Sequence, residues 1–499
     1  MYRKPLLLLQ LLQMKKRNNL KQKFSKTDRH FFCRSVFISA CLLFLGMLSS
    51  CTRYEPAALK EDWTEAVTEN SFEGFTQATE EETEPETEEE TEPETTEAPD
   101  PRTPTKVRAL YLASKPVGNA ERMDNLIRIF DETELNAVVI DIKDDYGKIT
   151  YQMENVPEVV ELQSIESCID DLPGLLRKFK DHGIYCIARI VTMRDPHLAR
   201  VKPEWMLTRQ DGTVYKDNSG YPWVNPYKEE YWEYLRDIAI ECGHAGFQEV
   251  QFDYFRFCTD KGADDCIFLE EDVKERDKIS VITELAQYMH DALKAEGLYM
   301  ACDVFGTIIR SKLDSRAVGQ SYEDIASIID YICPMVYPSH YADGNFGLDH
   351  PDLYPYDAIL GALKRSRSAL AQVEEGTRLA IVRPWLQAFT ATWLGGGKYR
   401  SYGAAEIREE IQAVYDAGYD EWILWSPSVT YDYDGFLSES AAEKEWVQIE
   451  ESRAAMPEET EALAAETFPK ELEEALDGDE LYESDEAILL EDGPIITYE

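Results

Sequence analysis

The chain has 499 residues, 44% of them hydrophobic, and a formal net charge of -45 at pH 7. A length of this order holds roughly two to four average domains, or one large barrel with appendages. So acidic a chain is excluded as a nucleic-acid binder, because a surface that neutralises phosphates must be basic.

The N-terminus reads as a targeting segment. Lys15, Lys16, Arg17, Lys21, Lys26 and Arg34 precede an apolar run over residues 36–48, followed by Leu-Ser-Ser-Cys ending at Cys51. A run of that length suits a signal peptide better than a membrane span, with an uncleaved anchor as the alternative. The small pair before Cys51 resembles the lipobox of bacterial lipoproteins. Residues 1–50 are therefore expected to be removed, with Cys51 lipidated and the chain held on the outer side of the cell membrane. Residues 51–106 are rich in Glu, Thr and Pro, with an imperfect TEPET repeat. Like charges repel and proline blocks helix, so this stretch predicts an extended, disordered linker. Residues 436–499 form a second acidic segment, read as a tail.

Between these ends, residues 107–435 alternate short apolar runs with amphipathic ones. The strand candidates are VRALYLAS from Val107, AVVIDIKD from Ala137, IYCIARIVTM from Ile184 and EVQFDYFRF from Glu249. YMACDVFG from Tyr299, YICPMVYP from Tyr331, RLAIVRPWLQAF from Arg378 and EWILWSPS from Glu421 complete the set. Helical patterns separate them, as over residues 230–246 and 281–297. Eight near-continuous apolar strands joined by helices predict an α/β fold, the (β/α)8 TIM barrel. A doubly wound sheet is the alternative, but KPVGNAE after the first strand has no glycine-rich phosphate turn.

A barrel builds its site at the carboxyl ends of its strands, and there the unusual residues collect. They are Asp141 from strand two, Arg189 from strand three, Asp253 and Arg256 from strand four, and Asp303 from strand five. Strand six brings Tyr337 and His340, strand seven Arg383, Trp385 and Gln387, and strand eight Trp422 and Trp425. Each has a bland reading as an ion pair or cap; their convergence on one rim is the signal. Aromatic faces stack on sugars and charged groups bond hydroxyls, so this rim predicts a glycan cleft. Two carboxylates on neighbouring strands are the equipment of glycoside hydrolysis. Asp253 is expected as nucleophile or base and Asp303 as acid, with Asp141 across the cavity. Arg189, Arg256, Tyr337, His340, Arg383, Trp385, Gln387 and Trp425 are expected to bind substrate. The reaction needs no cofactor and no metal.

The motifs NAVVIDIKDDYGKITY, GIYCIARIVTMRDPHLA, WVNPY, QFDYFRF, DVFG, PMVYPSHY and RPWLQAF together resemble a family of exported bacterial barrels. These are classed as glycoside hydrolases and were long filed as a domain of unknown function. The resemblance implies a TIM barrel akin to the retaining glycosidases, in which strand four supplies a catalytic aspartate, here Asp253. Relatives of that kind commonly draw their acid from a glutamate on strand five or from strand six. In this chain strand five carries Asp303, and strand six ends in Tyr337 and His340 without a carboxylate.

Two rival functions compete with this reading. A metal-dependent hydrolase needs clustered histidines, and the seven histidines include no HxH or HxxxH pair. A carbohydrate-binding surface lipoprotein without catalysis is the other, since a fold does not guarantee its chemistry. Asp260, Asp264 and Asp265 lack the spacing of a calcium loop. Of ten cysteines, Cys33 and Cys41 fall in the leader and seven follow Cys51. Cys258 and Cys266 flank one loop and are open to pairing in an exported protein.

Overall fold

The computed structural model describes residues 102–455. The leader, the lipobox cysteine Cys51, most of the linker and the tail from 456 lie outside the described residues.

Eight parallel strands close on themselves: β1 (Arg108–Leu112), β2 (Ala137–Lys143), β3 (Tyr185–Val191), β4 (Glu249–Asp253), β5 (Tyr299–Phe305), β6 (Tyr331–Met335), β7 in two pieces (Ile381–Val382 and Trp385–Gln387) and β8 (Trp422–Trp425). Closure is read from β1, where Leu110 stands opposite Val138 of β2 on one side and Leu424 of β8 on the other. Within the ring of eight no strand edge is left unpaired among the described residues, which is what eight consecutive apolar runs require. The expected (β/α)8 barrel is the fold.

Two strands end differently from the sequence reading. β4, expected over residues 249–257, stops at Asp253 because Tyr254 takes a left-handed φ of 53°. A tyrosine there is strained by on the order of 1–3 kcal/mol, and such strain gathers at functional rims. β7 is interrupted at Arg383-Pro384, where proline has no N–H to give the ladder.

Helices cover the outside. Ala120–Glu132 is capped by Asn119, whose side chain accepts from the Arg122 N–H; Lys278–Ala295 is capped by Asp277 in the same way toward Ser280. Glu229–Ala245 ends at Gly246, whose φ of 120° suits glycine. The fold continues beyond residue 435, where the acidic tail was expected to begin. Helix Glu439–Ala455 follows β8 as the eighth helix of the barrel. Trp446 meets Tyr415 edge-on at 5.7 Å, and Arg453 donates to Asp420 and to the Tyr415 carbonyl. Its one fully buried side chain is Ala442, so its apolar stripe is faint in the sequence. A short antiparallel excursion after β2, Ile149–Tyr151, widens the sheet there.

Inside the barrel, side chains alternate in layers. The layer nearest the amino ends of the strands is an ion cluster. Arg383 of β7 reaches across to Glu249 of β4 at 2.6 Å and bonds Glu421 at 2.8 Å, with its guanidinium over the Tyr331 ring. Tyr185 donates to the same Glu249. This corrects the expectation that Arg383 binds substrate: it is 0% exposed and its charge is matched by two glutamates. It stands two residues before Trp385 on the same face, one layer deeper than the mouth.

Candidate active site

The next layer up gathers two of the expected carboxylates, Asp141 and Asp253, around one arginine, with Asp303 beside them. Arg189 stands in register with Asp141 on β2 and donates to it from Nη1 at 2.6 Å. Its Nε donates at 2.9 Å to Asp253 Oδ2, which its Nη2 also reaches. A third carboxylate, Asp145 in the loop after β2, lies 3.8 Å from Nη1 and is also held by Arg194. Burial alone would lower the pKa of Arg189, but the charges of Asp253, Asp141 and Asp145 overcome it and raise it well above the ordinary value. Asp141 feels burial first, then Arg189 against it, and ends at about 6. Its second oxygen accepts from the Tyr111 hydroxyl at 2.6 Å.

Asp303 is set differently. β4 and β5 keep register to Phe252 opposite Cys302, so Asp253 and Asp303 follow at one level on adjacent strands. Asp303 Oδ1 accepts from Gln251 Nε2 at 2.5 Å and from the Trp385 indole N–H at 2.6 Å. Its Oδ2 has no partner, although the residue is only 2% exposed. Burial, and then the charge of Asp253, push its carboxyl well above the usual range. A buried carboxyl oxygen with no donor facing it is the place for a proton. The layer thus pairs a partly exposed carboxylate, held by arginine, with a buried carboxyl in an apolar, indole-lined niche.

Aromatic residues from β6, β7 and β8 form a wall beside this pair. Tyr337 lies 5.5 Å from Trp425 and 5.0 Å from His340. Phe389 meets Trp425 edge-on at 5.1 Å and stacks on Trp393 at 5.7 Å. Burial, then the charges of Asp303 and Asp253, raise the Tyr337 phenol well above its usual range, so the wall lies within electrostatic reach of both carboxyls. Trp393 is 41% exposed at the outer end of the wall. Trp393→Ala is expected to weaken binding of a long glycan severalfold while lowering Tm by only a few degrees, because it removes an exposed stacking face whose one ring contact is Phe389. Isothermal titration with oligosaccharides of increasing length measures this; equal loss for short and long sugars would refute it.

Other expected site residues are placed elsewhere. Gln387 is fully buried behind the wall, donating to Asp352 at 2.8 Å and accepting from the Ser339 hydroxyl at 2.7 Å. It braces the loops after β6 and β7 and offers nothing to a sugar. Trp385 lends its N–H to Asp303 and lies 6.3 Å from Tyr111. Trp422 points outward, stacked on Phe436. Cys258 and Cys266 are both free thiols. Gln251 and Tyr111 were not anticipated, and Asp145 and Arg194, expected at the rim after strands two and three, had been given no role. For Gln251 a signal existed: it stands two residues before Asp253, and so on the same face of β4.

Residues 109–431 match the family model described as "Putative glycosyl hydrolase domain". No curated protein matches the chain. Among solved structures, a hypothetical protein from Ruminiclostridium thermocellum ATCC 27405 is 34% identical over 39% of this chain and 97% of its own, with a TM-score of 0.36. The PgaB (BpsB) glycoside hydrolase domain from Bordetella bronchiseptica is 10% identical over 65% of this chain and 95% of its own, at 0.45. α-L-fucosidase isoenzyme 2 from Paenibacillus thiaminolyticus is 15% identical over 66% and 48% respectively, at 0.45. Likenesses this distant leave the roles of individual residues to the geometry of the site.

Proposed function

Because the chain belongs to the glycosyl hydrolase family whose model spans its barrel, we propose that it cleaves a polysaccharide with Asp253 as nucleophile and Asp303 as general acid. The observation that carries this assignment is the contrast between the two carboxyls. Asp253 accepts two hydrogen bonds from Arg189, whereas Asp303 keeps a buried, partnerless Oδ2 and a raised pKa. Two carboxyls with environments pushed apart divide into the one that attacks and the one that protonates.

The acid protonates the glycosidic oxygen as the bond to the anomeric carbon lengthens, and Asp253 bonds to that carbon on the opposite face. Water then enters where the leaving sugar was, loses a proton to Asp303, and displaces Asp253. Neighbouring strands lie about 4.8 Å apart, and level positions on them favour the short carboxyl separation of retaining enzymes, about 5 Å. The product is therefore expected to keep its anomeric configuration. Asp141 takes the role of holding Arg189 in place from the far side. The open end of the aromatic wall, His340, Trp425 and Trp393, takes the sugar faces, and Tyr337, expected to bind substrate, is buried behind them. With Cys51 lipidated and the linker extended, the barrel would work outside the cell on a wall or capsule polysaccharide.

The test is release of reducing ends from a panel of bacterial wall and capsular polysaccharides, with the product anomer followed by NMR. Wild-type protein is expected to cut at least one, with retention, and Asp253→Asn to cut none. A panel in which glycans bind to both proteins and neither releases product would make this a binding lipoprotein instead.

A further inference from the structure

The loop after β4 buries a cation that the reaction above does not use. Arg256 is 7% exposed, yet no carboxylate pairs with it among the described residues. Its Nη1 donates to the Phe257 carbonyl at 3.0 Å, and among the described residues no acceptor meets Nε or Nη2. Three rings cradle the guanidinium: Phe305 at 4.4 Å, Trp223 at 4.8 Å and Tyr254 at 5.6 Å. Two of these rings belong to the rim of the site. Tyr254 follows Asp253 directly, and Phe305 stands two residues beyond Asp303 on the same face of β5.

Three other arginines of the barrel are matched by contrast. Arg189 bonds Asp141 and Asp253, Arg194 bonds Asp145, and Arg383 bonds two glutamates. Aromatic faces make a buried cation tolerable but leave its N–H donors unanswered. A planar fork with two free donors fits an oxyacid group, which would complete the hydrogen bonding that the fold leaves open.

We infer that Arg256 forms an anion subsite beside the Asp253–Asp303 pair, which selects glycans carrying a carboxylate or phosphate on the sugar bound there. This rests on the hydrolase reading for its location and adds the substrate class. Because the chain as a whole is acidic, the attraction works by contact and not by long-range steering. A glycan with an occasional acidic sugar suits it better than a polyanion.

The probes are glucuronic acid and glucose 6-phosphate, each against glucose, titrated into the mature chain by saturation-transfer NMR. Wild type is expected to prefer at least one acid over glucose by roughly tenfold, the scale of a charge-assisted fork. The preferred arm identifies the group. In Arg256→Gln the ratio of acid to neutral affinity falls toward one; in Arg256→Lys, which keeps the charge and loses the fork, part of it survives. Equal affinity for acid and neutral sugars in wild type overturns the inference even if the Gln variant does not fold, and so does an undiminished ratio in a folded variant. Monosaccharide binding needs no turnover. A protein with this preference that cuts nothing sinks the hydrolase reading alone, and one that cuts neutral glycans without it sinks the subsite alone.

Discussion

Asp303→Asn is expected to lower kcat on a cleavable glycan by about 10²–10⁴-fold and, at neutral pH, to make the barrel more stable. The two effects have one origin. The carboxyl sits where burial, and then the charge of Asp253, favour its protonated form. Folding therefore takes up a proton between the ordinary carboxyl value of about 4 and the raised one. The folded state binds more protons than the unfolded state, so stability falls as pH rises, by about 1.4 kcal/mol per unit, until the raised pKa is reached. An amide at the position carries no such dependence, and Oδ1 still accepts from Gln251 and Trp385. Thermal melts of both proteins from pH 4 upward are expected to diverge until the raised value is passed and to stay apart beyond it, the variant on top. Asp253→Asn should also abolish turnover but move stability the other way, because Arg189 loses a partner. If Asp303→Asn is less stable at pH 8 than wild type, or still turns over, the acid assignment is wrong.

How far the sequence foretold this site depends on a single missing coordinate, depth along the strand. Period-two alternation shows which residues face inward, and that was enough to bring Asp141, Arg189, Asp253 and Asp303 together. It does not separate one layer from the next. Arg383 and Trp385 share a face of β7, yet Arg383 ends among Glu249 and Glu421 while Trp385 reaches Asp303. Gln387, one layer higher still, is turned by Asp352 and Ser339 into loop support. The barrel itself was legible because eight buried parallel strands leave eight apolar runs. Its eighth helix was not, since Glu439–Ala455 lies on the surface among charged residues and shows little apolar contrast. Position just after a strand placed Asp145 and Arg194 at the rim, but loop residues have no periodicity to show which partner they take.

Arg189→Met is expected to destabilise the barrel by about 3–5 kcal/mol at pH 7, the scale for removing one partner from a buried ion cluster. Asp141 and Asp253 would then face each other across a low-dielectric layer with no cation between them, and Asp145 would keep only Arg194. Asp141 already sits at about 6 with the arginine present, because burial opposes its charge. Without Arg189 nothing would offset the burial of Asp141, so the folded variant would bind more protons than its unfolded chain. The penalty should therefore shrink on acidification and grow toward pH 8. Urea melts at pH 5 and pH 8 with unchanged m-values would show it as a difference in midpoint. Arg189→Lys keeps a charge but cannot donate from three nitrogens at once, so it should recover part of the stability and little of the turnover. A loss equal at both pH values would mean that Arg189 contributes packing alone. The carboxyls around it would then be paired by something other than its charge, and the division of labour between Asp253 and Asp303 would lose its electrostatic basis.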